Sequence, residues 1–359
     1  MAPSPHHKKI NSLTLAAQSR YSSAMFIVDA HLDLAYNVTR GRDVTLPASR
    51  QTATHNEIPT VGLPDLRAGG VGLVCATIFC DPALNGQPGY TTADEARAAA
   101  LVQLDWYRQQ QAAGRMRFVT NPQDLPIPDT TSNAQSAILL LEGADALRTP
   151  QDVSEWFAAG LRIVGLAWRR TRFAGGTGEP GPLAPAGVEL VRELDRLGII
   201  HDTSHLAGES FWQLLDLSGG PVIASHSNCR AIVPTDRQLS DPMIRAIIKR
   251  GGVIGINFFD KFLVPPADYG KRRATLTDVI HHVRHICDLG GDAMHVGIGT
   301  DLDGGLGRDQ IPVEIVTAAD LPKLADALAA TGFDDAAVHD ILGLNWLQFF
   351  QKNLAAQHP

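Results

Sequence analysis

The stretch SAILLLEG, residues 136–143, decides the fold. Its uninterrupted apolar run has no polar position at strand or helix period, so a strand made of it is buried on both faces, as in a parallel sheet covered by helices. The run stops at Glu142, a carboxylate that is costly at the end of such a strand unless it is paired or bound to a cation. A cap or salt bridge in the following loop would serve as well.

Seven runs of the same kind flank it: MFIVDAH (25–31), VGLVCATIFC (71–80), LRIVGLAW (161–168), GIIHD (198–202), PVIAS (221–225), GVIGINF (252–258) and HVGIGTD (295–301). Helical patterns separate most of them, at 92–111, 188–197, 209–217, 241–250 and 277–289, with Thr92, Ser240 and Thr277 as capping residues. Two more helices, 320–330 and 334–352, close the chain. Eight strands with crossover helices predict an α/β fold, a single (β/α)8 TIM-type barrel. The long polar segments 34–70, 171–185 and 260–273 follow strand C-termini, the face on which barrels build their sites. The expected organisation is one domain over 25–352, a disordered tail over 1–24 and a short C-terminal tail over 353–359.

Composition narrows the function. The 359 residues are 44% hydrophobic and 19% charged, which suits a globular chain with a large core. A net charge of −7 without long runs of one sign gives no electrostatic case for nucleic acid or an anionic membrane. Four cysteines without a Cys-x-x-Cys pair argue against a disulfide scaffold, a zinc ribbon or a thioredoxin-type site. No apolar run has the length of a membrane span, and the first residues lack a signal-peptide core, so a cytoplasmic chain acting on a small molecule is expected.

Thirteen histidines are the remaining clue, and their placement matters more than their number. His31 and Asp33 end the first predicted strand at a spacing that points both side chains one way in extended backbone. His205 follows the fifth in HDTSH, His226 the sixth in ASHS, and Asp301 ends the eighth in GTDLDG. Each alone is ordinary: a lone histidine after a strand is more often a hydrogen-bonded core or loop residue than a ligand. Together with Glu142 they deliver histidines and carboxylates from five strands to one rim. Imidazole and carboxylate without thiolate suit zinc or a similar divalent ion, and two such sets sharing a carboxylate would acidify a water and polarise a carbonyl. Asp303 reads as an Asx turn or helix cap, and His281 and His285 as structural or surface residues of a helix. His201 and Asp202 are candidates to orient His205, with Asp202 the better acceptor for an imidazole N–H. GGTGEPG (175–181) lacks the Lys-Ser/Thr of a phosphate loop and reads as a loop over the site.

DAHLD (29–33), LPDLRAGGVGLVCATIF (63–79), LLLEGAD (139–145), GIIHDTSHLAGESFW (198–212), PVIASHSN (221–228), GTDLDG (299–304) and DILGLNWLQFF (340–350) resemble the membrane (renal) dipeptidase family of binuclear zinc peptidases, in order, over about residues 25–352. The resemblance implies an amidohydrolase-type barrel holding two Zn2+. His31 and Asp33 would bind one ion and His205 and His226 the other, with Glu142 bridging. Asp301 matches the acid/base residue. Arg237, in TDRQLSDPM, matches the arginine that pairs with the terminal carboxylate of a dipeptide. A dipeptide substrate, tolerance of a D-residue on its C-terminal side and a homodimer are implied in the same way. The chain departs from the pattern in one place: where the family carries a histidine that contacts the substrate carbonyl, RIVGLAWRR places Trp168, which offers a single indole N–H. Arg169, Arg170 and Arg172 are nearby replacements for that group, although such a cluster is more often a solvated loop. The expected activity is a zinc dipeptidase. The alternatives are hydrolysis of another amide, such as a lactam or N-acyl amino acid, and a catalytically weak metal protein that binds peptides or metabolites.

Overall fold

Each of the eight apolar runs forms a strand in the computed structural model, which describes residues 25–84, 86–128 and 133–354. The expected tail over 1–24 and the last five residues lie outside the described residues. In chain order the strands are β1 Ile27–Leu32, β2 Val71–Phe79, β3 Met116–Phe118, β4 Gln135–Glu142, β5 Leu161–Gly165, β6 Ile200–Asp202, β7 Val222–Ile223, β8 Ile254–Ile256 and β9 Val296–Ile298. The parallel path runs β7-β6-β5-β4-β2-β1-β9-β8. Its two ends meet where Ala224 bridges Ile254 and the Gly255 N–H donates to Ala224 O at 2.8 Å. The result is a nearly closed eight-stranded barrel. The ninth strand, β3, was not expected; it pairs only the first part of β4, before β5 takes over at Leu139. Three residues in the polar context of Arg115 and Arg117 are too short a run to register as a strand.

Inside the barrel, alternate residues form one core: Val28 and Ala30, Leu73 and Cys75, Ile138 and Leu140, with Ile163, Ile200 and Ile223. The helix Asn345–Asn353 adds Trp346, Phe349 and Phe350 to the same core. Trp346 donates Nε1–H to Ile298 O at 3.1 Å and passes so close to β9 that a Cβ at position 297 would strike the indole, which is why glycine stands there. A second, larger core lies between the strands and the surrounding helices.

The helices Ala93–Ala112, Pro185–Leu197, Gly208–Leu217, Asp241–Lys249 and Leu276–Gly290 occupy the expected crossovers. Thr92 and Glu95 form a reciprocal capping box. Ser240 is an N-cap without a side-chain bond, and the cap expected at Thr277 is Thr275, whose box partner is Asp278. The segment expected as one helix over 334–352 is interrupted by a π-turn over Asp340–Leu344. No helix among the described residues is long and apolar enough to cross a membrane.

Registry sets the height of the site. Phe79 pairs Glu142, Glu142 pairs Gly165, and Gly165 pairs Asp202, so these strand ends share one level at the C-terminal mouth. In β1 the register against β2 shifts between Asp29 and Leu32. The shift breaks the alternation: Ala30 belongs to the interior core and Leu32 to the outer one, with His31 turned to the site between them.

Candidate metal centre

All eight barrel strands deliver a side chain to this mouth. His31 and Asp33 come from β1, Glu142 is the last residue of β4, and His205, His226 and Asp301 stand three residues beyond β6, β7 and β9. Phe79 ends β2, Trp168 follows β5 and Asn257 follows β8. His205 and Asp301 hold φ of +64° and +59°, left-handed backbone that non-glycine residues adopt at a cost of order 1–3 kcal/mol and that clusters at functional sites. A Cβ at position 304 would collide with Asp301 Oδ1, so Gly304 gives that carboxylate its room.

The six ligand-type residues converge. Glu142 turns Oε2 toward His31 Nε2, 3.6 Å away, and Oε1 toward His205 Nε2 and His226 Nε2, at 3.3 and 3.2 Å. Asp33 Oδ2 lies 3.6 Å from His31 Nε2, and the His31 and His226 ring centroids lie 3.7 Å apart with the planes tilted by 31°. One donor atom from each of His31, Glu142 and His226 fits within 4.8 Å, as does one from each of His31, Asp33 and Asp301. His31 Nε2, Asp33 Oδ1 and Glu142 Oε1 are buried without a hydrogen-bond partner among the described residues. Two buried carboxylates with unspent oxygens, gathered about imidazole Nε2 atoms, form a cluster whose burial is costly as it stands and which cations would satisfy. Imidazole nitrogens and carboxylate oxygens without thiolate are a donor set that fits divalent metal.

The electrostatics follow from crowding in a dry mouth. Burial opposes a charge on His31, but Glu142 and Asp33 outweigh it and hold the imidazole pKa well above its ordinary value. Burial pushes His205 and His226 well below theirs, helped by the charges of Arg237 and His31. Asp301 is pushed up to about 8 by burial and by Asp33 and Glu142, against the pull of His31 and a hydrogen bond from Asn257.

Arg237 is buried behind His226, donating to His226 O at 2.6 Å and to Ser227 Oγ at 3.0 Å, with its guanidinium 5.2 Å from the Phe262 ring. Its Nε has no partner among the described residues. Burial lowers its pKa to about 10. Above the cluster opens a cavity of about 540 Å3 whose walls include Phe79, Trp168, Phe259 and Phe262. Trp168 packs 5.2 Å from the Phe79 ring and 6.1 Å from the His205 ring. Of the neighbouring arginines only Arg169 reaches this cavity; Arg170 binds Pro180 O, and Arg172 is taken up by Asp145 and the carbonyls of Asp145 and Leu147.

Some expectations for nearby residues change. Asp202 does not orient His205; it accepts from Ser225 Oγ at 2.5 Å, and the hydroxyl beside His205 Nδ1 is Thr177 of the glycine-rich loop, at 3.0 Å. Asp303 is more than a turn residue: it is buried, paired with Arg42 at 3.1 Å and bonded to Thr60 and Val61. His285 pairs with the half-exposed Asp241, away from the mouth. Asn257 was missed; it is the one polar residue in GVIGINF, next to last in the seventh expected strand, much the same signal that exposed the other strand-end groups.

The model of the membrane dipeptidase family, peptidase family M19, matches residues 15–359. A Klebsiella pneumoniae protein from the pqqA 5′ region is 32% identical over 67% of this chain and 90% of its own length. An uncharacterised dipeptidase of Schizosaccharomyces pombe is 27% identical over 91% of this chain and 80% of its own. A solved Rhodobacter sphaeroides metallopeptidase, bound to a phosphinate mimic of the dipeptide L-Ala-D-Ala, superposes with a TM-score of 0.79 at 26% identity, covering 92% of this chain and 99% of the other. With a family model spanning nearly its whole length and a metal-ready cluster at the mouth of its barrel, the chain belongs to the membrane dipeptidase family, peptidase family M19, and is a metallo-dipeptidase.

Proposed function

We propose that this enzyme cleaves dipeptides with a D-residue tolerated on the C-terminal side, using two zinc ions. His31 and Asp33 would hold one ion and His205 and His226 the other, with one Glu142 oxygen toward each. When bound, such ions acidify a water and polarise the scissile carbonyl. The observation that carries this reading is the set of buried, unpartnered donor atoms, His31 Nε2, Asp33 Oδ1 and Glu142 Oε1, with Asp33 and Glu142 lining the cavity.

The chain's own groups supply the rest. Asp301 Oδ2 is held by Asn257 at 2.9 Å, and a carboxyl with a pKa of about 8 is suited, as the carboxylate, to take a proton from the attacking water and then to hand it to the leaving amine nitrogen. Arg237 supplies a fixed positive charge with a spare Nε for the substrate carboxylate. Trp168 and Phe79 form an apolar wall that packs a side chain and excludes water. The mimic bound to the Rhodobacter sphaeroides relative supports a D-residue at the second position. Trp168 itself favours a second reading, cleavage of another amide such as a lactam or an N-acyl amino acid, because it puts one N–H donor where the resemblance implies a histidine.

Metal analysis with a dipeptide panel of mixed L and D stereochemistry, beside lactam and N-acyl substrates, tests both. Two zincs per chain and dipeptide turnover that disappears in Asp301→Asn support the first reading. Turnover confined to the other amides moves the assignment to the second.

A further inference from the structure

Behind the metal-facing nitrogens lies a hydroxyl that touches two of the histidines at once. Ser225 is fully buried, with Oγ 2.5 Å from Asp202 Oδ2, 2.8 Å from His226 Nδ1 and 3.2 Å from His31 Nδ1. Ser204 Oγ is a more distant neighbour at 3.4 Å. A hydroxyl has one proton to donate, and a carboxylate oxygen can only accept it, so the short contact commits the Ser225 proton to Asp202. The two imidazole nitrogens must then donate to Ser225. A neutral imidazole protonated on Nδ1 is bare on Nε2, the atom that faces Glu142 in both rings.

We propose that the Asp202–Ser225 pair sets the tautomer of His31 and His226 together, making these two positioning residues for both ion positions. His205 is oriented separately, through Thr177 Oγ1 at 3.0 Å from its Nδ1. The placement is local in origin: Asp202 ends β6, pairs Ile223 of β7 in register, and so meets the residue that directly precedes His226. Asp202 is itself fixed, because Oδ1 accepts the backbone N–H groups of Ser204 at 3.0 Å and Ser225 at 2.8 Å.

That fixing makes the proposal sharp. In Asp202→Asn the two backbone donors keep the amide oxygen at the Oδ1 position, so the amide NH2 faces Ser225 and donates to it. The hydroxyl proton must turn to one imidazole Nδ1 and force that ring into the Nε2–H form, which cannot ligate. Ser225→Ala only removes an acceptor and inverts nothing.

The proposal rests on the zinc reading of the cluster, which a titration of the unmutated chain tests by itself. The experiment is zinc affinity by chelator competition for the unmutated chain, Asp202→Asn and Ser225→Ala, with thermal unfolding of each metal-free protein as the folding control. Ring 15N spectra of the metal-free proteins complete it. Affinity in Asp202→Asn should fall about 10–100-fold, and less in Ser225→Ala. His31 and His226 should both carry a proton on Nδ1 in the unmutated chain, and one of them should lose it in Asp202→Asn. Zinc affinity of folded Asp202→Asn within about threefold of the unmutated chain, a greater loss in Ser225→Ala, or a bare Nδ1 in the unmutated chain overturns the proposal. Should Asp202→Asn not fold, unchanged affinity in Ser225→Ala overturns it and a measurable loss supports it.

Discussion

Asn257 donates its side-chain amide to Asp301 Oδ2 at 2.9 Å while its own Oδ1 accepts the Phe259 N–H at 2.7 Å. The first bond favours the charged carboxylate against the burial that pushes Asp301 up to about 8. Asn257→Asp keeps the acceptor for Phe259 and turns the donor into an oxygen. The Asp301 pKa then rises, so the acid limb of the kcat/KM profile moves to higher pH, by about one unit or more. A pH–rate profile checks this, and an acid limb that stays in place or moves down counts against Asp301 as the titrating group.

Metal uptake should be coupled to proton release. His31 is held well above its ordinary pKa by Glu142 and Asp33 after burial is overcome, and the protonated ring must release a proton before its Nε2 can ligate. Zinc affinity therefore strengthens as pH rises through the raised His31 pKa, and weakens as pH falls below it. Titration calorimetry in buffers of different ionisation enthalpy reads the released protons directly. Binding with no proton release below the raised His31 pKa contradicts the charge state assigned to His31.

The Trp168 ring packs against Phe79 and near His205, so it shapes the cavity wall as well as replacing a donor. For a dipeptidase adapted to this wall, Trp168→His loses packing and lowers kcat/KM on dipeptides by about tenfold, the scale of a lost apolar contact of ~1–3 kcal/mol. A strong rise in dipeptide turnover instead identifies another amide as the better substrate.

Arg237→Met removes the buried guanidinium while keeping a long apolar side chain against Phe262. If Arg237 meets the substrate carboxylate, KM should rise about 30-fold or more for a dipeptide, from the ~2–5 kcal/mol attached to truncating a buried charge pair. The C-terminal amide of the same dipeptide should show a much smaller change. Equal penalties on acid and amide remove the carboxylate role.

Asp303 and Arg42 form a buried pair at 3.1 Å that clamps the 42–61 segment, through Thr60 and Val61, onto the loop after β9. Asp303→Ala leaves Arg42 buried beside a missing partner, and unfolding stability should drop by about 3–5 kcal/mol. Denaturant unfolding measures it; a loss below about 1 kcal/mol shows that Glu57, which also bonds Arg42 at 3.1 Å, suffices alone.

The barrel was legible because strands buried on both faces must be apolar throughout, so SAILLLEG and the seven runs around it announce themselves without reference to one another. The ligand-type residues were legible for the complementary reason, that His or carboxylate at the end of such a run is conspicuous. Asp202, Ser225 and Thr177 were harder. Serine and threonine in loops are common, and what matters about Ser225 is that its hydroxyl lies within 3.2 Å of rings from two different strands.

The amino-acid order by itself therefore determined the strands, the rim on which the polar groups fall and the kinds of donor atom gathered there, because these depend on burial and on which residue follows which. Only the tertiary structure decided that β1 breaks its alternation to turn His31 inward, that Asp202 meets Ser225, the hydroxyl beside His31 and His226, rather than His205, and that Asp301 rests on Asn257. Those relations depend on sheet register and on hydrogen bonds between residues up to 194 positions apart. Distances of that kind exist only once the barrel has closed.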